Sequence, residues 1–216
     1  MESHPFTVGD LLSALDEIAP FSLAESWDNV GLLAGDPGEP VGGILVALDP
    51  TEEVLVEAVA GDCNVVVTHH PPIFKAFKSI RTDLPEGRLL AGALAAKVAL
   101  IACHTNLDRA GGGVNDVLAR RLGLEDIRPL AGSGPEAPGF GRLGTLPAPV
   151  AGEEMLAQVA RALAVETLSY AGPLPATVQR VAVCGGSGSE LAEEAHRQGA
   201  QLFLTAEVKH STARWA

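Results

Sequence analysis

Three nearly continuous apolar runs each stop abruptly on polar residues. Gly43 to Leu48 (GILVAL) runs into Asp49-Pro50, Cys63 to Thr68 (CNVVVT) into His69-His70-Pro71-Pro72, and Val98 to Cys103 (VALIAC) into His104-Thr105-Asn106-Leu107-Asp108. Runs of this length without apolar/polar alternation suit strands buried on both faces. Between them, Thr51 to Ala60, with its Thr-Glu-Glu start, and Arg88 to Lys97 carry helical patterns. The rhythm is βαβα, and the expected class is α/β: a mostly parallel sheet covered by helices.

The pattern extends in both directions. Thr7 caps an expected first helix with Val8, Leu11, Leu12, Leu15 and Ile18 at helical spacing and Pro20 closing it. Asn115 to Leu122 is a further helix, ended by Gly123. From Pro129 to Pro149 the chain turns dense in Gly and Pro (PLAGSGPEAPGFGRLGTLPAP), which predicts a domain junction or long connection. Beyond it, Glu153–Ala164 and Ser189–Gln198 suit helices, and Gln179–Cys184 and Gln201–Thr205 suit strands. Two α/β lobes are therefore expected, 1–128 and 129–216.

Composition excludes some classes of function. With 47% hydrophobic residues in 216, the chain can bury a substantial core. Its 15 Lys+Arg against 27 Asp+Glu give a formal charge of −12. Such a surface repels phosphate backbones and anionic lipids, so no general nucleic-acid binding and no membrane association are expected. The start MESHPFTVGDLLSALDEIAP lacks the basic and apolar regions of a secretory signal, and the apolar stretch Leu89–Cys103 is interrupted by Lys97 and too short to span a bilayer. A cytoplasmic protein is the expectation, with Cys63, Cys103 and Cys184 as reduced thiols.

The chemistry gathers at the strand ends, where parallel sheets place ligands. Neighbours on a regular strand point to opposite sides, so His69 and His70 are expected to serve two ions rather than share one. Pro71 limits the backbone freedom of His70. His104 and Asp108, four apart, share a side if the segment forms a helical turn. Imidazole with carboxylate suits Zn, Fe, Mn, Co or Ni. A single strand-end histidine is more often a packing residue than a ligand; the adjacent pair before Pro-Pro and the HxxxD motif after another strand raise the metal reading. Other candidates have plainer roles. His4 and His196 are expected in solvent, Asp49-Pro50-Thr51 as a helix-capping turn, CGGSG (184–188) as a tight turn or an anion loop, and Lys75, Lys78 and Arg81 as solvated cations or receivers of an anionic substrate.

Taken in order, PFSLAESWDNVGLLAGDP, VVVTHHPPIFK, HTNLD, PGFGRLGTL and LTAEVKH resemble the Nif-three-like proteins with a dinuclear metal centre, whose bacterial members go by the name of type-two GTP cyclohydrolase homologues. The resemblance implies a two-part α/β fold, a toroidal homohexamer and two divalent metal ions. It implies His69, His70, His104 and Asp108 as metal ligands, with Asp108 a candidate bridge. The family also uses a His and a Glu in a Gly-His segment beyond EVKH; this sequence stops at Arg214-Trp215-Ala216, mid-helix in pattern, so a chain shortened at its C-terminus is expected, the alternative being a weakened or different site in which Glu207 and His210 act as substitutes. The implied activity is metal-dependent hydrolysis of a small polar or nucleotide-like substrate, with ring opening of GTP the narrower version. The alternative is a metal-binding interaction or metal-handling protein without turnover.

Overall fold

The computed structural model describes residues 5–132, 134 and 138–216; His4 lies outside them. The chain divides into two compact units, Met1–Leu107 and Asp108–Ala216, so the division precedes the Gly/Pro-rich stretch where the lobe boundary was expected.

In the first unit a four-stranded sheet has the order β1-β4-β3-β2, formed by β1 (Gly31–Ala34), β2 (Ile44–Ala47), β3 (Val65–Thr68) and β4 (Ala99–Ala102). β2, β3 and β4 run parallel, whereas β1 is antiparallel to β4, pairing Gly31 with Ala102. The unbroken apolar runs have a simple cause. Along β3 and β4, Val65, Val67, Ala99 and Ile101 pack with Val8 and Leu11 of α1 (Val8–Ile18). The intervening Val66 and Leu100 pack on the other face with Ala58 of α2 (Glu52–Ala60) and Leu89, Leu90 and Ala93 of α3 (Pro85–Ala95). A central strand covered twice favours apolar side chains at successive positions, and a fully buried Val, Leu or Ile among them is worth about 1.5–3 kcal/mol. The edge strand departs from this. Val46 is 75% exposed and Ile44 and Leu48 are exposed as well, so GILVAL is not buried throughout as expected. It has a neighbour on one side only.

Local chemistry sets the helix starts. Thr7 Oγ1 accepts the Asp10 N–H while Asp10 returns a bond to the Thr7 N–H, a reciprocal cap. Thr51 caps α2 through the Val54 N–H.

The second unit opens within α4 (Thr105–Arg109), which the unit division crosses, and continues through α5 (Val114–Arg121) to a sheet of order β5-β6-β7-β8. Here the expectation of a connection fails. β5 (Glu125–Gly132) and β6 (Gly139–Ala151) form a long antiparallel pair inside the stretch rich in Gly and Pro. β6 is antiparallel to β7 (Thr177–Cys184), and only β7 and β8 (Leu202–Thr205) are parallel. The class is mixed α/β as expected, but the parallel arrangement belongs to the first sheet. α6 (Gly152–Leu163) packs Met155 and Val159 against Val178, Val181 and Val183 of β7. The expected helix over 189–198 is a short 3-10 turn followed by α7 (Ala192–Arg197), and α8 (His210–Trp215) follows β8.

Candidate metal centre

The site forms where the parallel strands of the first unit end. Because β1 runs the other way, its beginning lies beside the end of β4, which brings the preceding Trp27-Asp28-Asn29 loop to the carboxyl edge of the sheet. At that edge His69, His70 and His104 each offer a donor atom, all within 4.8 Å of one another. Their ring centroids are 5.1 Å (His69–His70), 5.1 Å (His69–His104) and 5.7 Å (His70–His104) apart. These three imidazoles could hold a metal ion.

The convergence of His69 with His70 overturns the expectation that neighbours would point apart. β3 ends at Thr68, so strict strand alternation no longer governs the next two residues. Thr68 Oγ1 donates to the His70 carbonyl at 2.7 Å and curls the chain. The amides of His69 and His70 still bond the carbonyls of Ala47 and Leu48, which keeps the turn attached to the sheet.

Every ring is oriented through its Nδ1. That of His69 lies 2.9 Å from the Cys103 carbonyl, that of His70 2.7 Å from Asp49 Oδ1 and that of His104 2.8 Å from Asp28 Oδ1. Carbonyl and carboxylate oxygens only accept, so each Nδ1 carries the proton, and in the neutral ring Nε2 carries the lone pair. That is the tautomer that binds a metal through Nε2, held by the kind of partner that raises its basicity.

Asp28 is the best buried of these partners, with a side chain 0% exposed. Burial pushes its carboxyl upward in pKa, but bonds from the Thr105 hydroxyl, His104, and the Thr105 and Asn29 amides outweigh this and hold it below its ordinary value. Thr105 Oγ1 and N–H reach Asp28 Oδ2 at 2.5 and 3.0 Å. Asp28 therefore ties the first turn of α4 and the His104 ring to the loop before β1. The sequence reading gave it no role, since 76 residues separate it from His104. Asp49-Pro50-Thr51 is the expected capping turn, with Thr51 as the cap of α2, and Asp49 within it also faces His70.

The helical turn on which HxxxD depends is present as α4, and Asp108 stands on it as the first residue of the second unit. The three-imidazole group does not include it. Asn115 Nδ2 donates to the Asp108 carbonyl at 3.0 Å, and the buried Arg142 guanidinium donates to the Ala110 carbonyl and to Asp116, both within 2.9 Å, so the chain on either side of Arg109 is pinned. Glu207 and His210 are exposed and outside the imidazole group, and His196 is exposed on α7, with its ring 5.7 Å from Trp215. In CGGSG, the Gly185 and Gly188 amides are committed to Asn115 Oδ1 and Thr205 Oγ1, which favours the tight turn over an anion loop. The three cysteines are unpaired thiols; burial raises the pKa of Cys103 and pushes that of Cys184 up to about 12. Among the described residues no helix is long and apolar enough to cross a membrane.

Known proteins match this architecture over nearly its whole length. A "GTP cyclohydrolase 1 type 2 homolog" of Streptomyces coelicolor is 37% identical, over 94% of this chain and 73% of its own. One of Clostridium perfringens is 34% identical, over 94% and 78%. A crystal structure of a hypothetical Staphylococcus aureus protein superposes with a TM-score of 0.93 at 31% identity, covering 99% of this chain and 83% of that one. A Bacillus cereus protein related to NIF3 also gives 0.93, at 24% identity over 99% and 86%, a likeness of fold. The model of the Duf34/NIF3 (NGG1p interacting factor 3) family matches residues 6–216, and this chain, with its imidazoles gathered at the carboxyl ends of parallel strands, belongs to that family.

Proposed function

We propose that this protein is a metal-dependent hydrolase of a nucleotide-like small molecule, in which His69, His70, His104 and Asp108 hold two divalent ions drawn from Zn, Fe, Mn, Co and Ni. One observation carries the reading: three imidazoles whose donor atoms lie within 4.8 Å, each with its Nδ1 committed to a carbonyl or carboxylate oxygen. Packing histidines have no need of three such partners on three rings gathered at one strand edge. Bound divalent metal would supply a water acidified toward neutral pH and a Lewis acid for the substrate oxygen or ring carbon. The chain's part is orientation. Asp49 and the Cys103 carbonyl fix the two β3-end rings, and Asp28 fixes His104 and the start of α4. The name borne by the bacterial relatives supports a nucleotide-like substrate.

The family's other name, that of an interacting factor, favours a second reading: a metal-binding interaction protein without turnover. Cytoplasmic residence and a homohexamer, the assembly implied by the resemblance, complete the proposal; sedimentation of the purified protein measures the latter.

The deciding experiment loads the protein with Mn, Zn, Fe or Ni and screens nucleotides and phosphoesters. Turnover lost together with metal in His104→Ala supports hydrolysis. Stoichiometric metal with no turnover over the panel overturns it in favour of the second reading.

A further inference from the structure

Two large aromatic side chains stand in solvent beside the imidazole group. Trp27 is 58% and Phe74 48% exposed. Their centroids are 5.8 Å apart with planes inclined at 67°, and both meet the His104 ring edge-on, at 6.5 and 6.2 Å. Scattered exposed apolar residues need no explanation, but a paired Trp and Phe fixed against a candidate ligand are another matter. The pair is also built. Asn29 Nδ2 donates to the Ile73 carbonyl at 2.6 Å, which fastens the loop holding Trp27 to the one holding Phe74. Asp28, between Trp27 and Asn29, bonds His104 at 2.8 Å. Three consecutive residues thus supply an aromatic face, an imidazole anchor and a clamp.

We infer that Trp27 and Phe74 form a stacking subsite for a planar heteroaromatic ring, which places that ring of an anionic substrate next to the His69/His70/His104 group. Two aromatic faces inclined at 67° make a corner in which a flat ring stacks on one and presents its edge to the other. Stacking of this kind accepts any base because every base has a π-face. Lys75 and Lys78 follow Phe74 on the same segment and, among the described residues, have no carboxylate partner, while Arg81 is held by Asp83. In a chain of net charge −12 they add local positive charge for an anionic group on the same ligand. This inference rests on the hydrolase reading for its substrate class and extends it by naming what grips the ring.

The chain has two tryptophans, Trp27 and Trp215, so Trp215→Phe leaves Trp27 as the sole indole reporter. Titration of that variant with GMP is expected to quench Trp27 emission saturably, and ribose 5-phosphate, which lacks a base, is expected to leave it unchanged. In equilibrium dialysis, Trp27→Leu should weaken GMP binding about ten-fold or more and Trp27→Phe by less than about three-fold, with ribose 5-phosphate binding unaltered. Phe74→Leu should weaken GMP binding in the same direction. Unchanged emission at saturating GMP, or equal GMP affinity in a natively folded Trp27→Leu, overturns the subsite. Turnover is measured separately. Quenching by GMP in a protein without activity retains the subsite and removes the hydrolase; turnover of nucleotides with unaltered kcat/KM in Trp27→Leu does the reverse.

Discussion

Asp28 is the side chain on which most of the candidate site depends, although it offers nothing to an ion itself. Its removal in Asp28→Ala leaves the Thr105 hydroxyl, the Thr105 amide and His104 Nδ1–H without their acceptor. We expect a loss of roughly 2–4 kcal/mol in denaturant unfolding and a fall of about 10- to 100-fold in divalent-metal affinity by competition with a chromophoric chelator. The pH dependence has a definite sign. Because folding lowers the pKa of Asp28 from 3.8, its contribution is fully present above that value and disappears as pH falls through the lower folded one; the stability gap to Asp28→Asn should close there in acid titration. The thiols permit a simpler test. Cys103 and Cys184 are buried with raised pKa, whereas Cys63 is half-buried, so iodoacetamide should modify only Cys63 in the native protein and all three after unfolding, as read by intact mass. The histidines were legible in the sequence because each follows an apolar run that could only be a strand. Asp28 was not, because no local pattern links it to a partner 76 residues away.

The elements were read correctly wherever burial on two faces left a composition that only one structure satisfies. The failure at β5 and β6 has the opposite cause: proline and glycine counted as breakers, but their positions are those a sheet tolerates. Pro129 lies in β5, an edge strand, and Pro147 and Pro149 fall where the pairing of β6 with β7 shifts register between Thr145 and Val150. The glycines answer close approaches. A Cβ on Gly139 would stand 1.9 Å from the Ala131 carbonyl oxygen across the strand pair. Gly139→Ala is accordingly expected to cost roughly 1–3 kcal/mol in denaturant unfolding. The bend after β3 was equally illegible, since the Thr68 hydroxyl bond that turns the two rings together is a tertiary detail of a residue equally at home in a strand.

At the scale of the molecule, two units carry separate cores. Met155 is 0% exposed at the centre of the second, and Met155→Ala should lower the hydrogen-exchange protection of β6 and β7 amides by about 2–5 kcal/mol, with a smaller effect on β3 and β4. The first unit has a different vulnerability. All four strands of its sheet have a stake in the imidazole group: Asp28 precedes β1, Asp49 follows β2, His69 and His70 follow β3, and His104 follows β4. A group assembled this way has no existence in a partly melted sheet. Were the three imidazoles to hold a cation, its occupancy and the cohesion of that sheet would be one equilibrium, and a chelator would act on the loaded protein as a mild, reversible denaturant of the first unit.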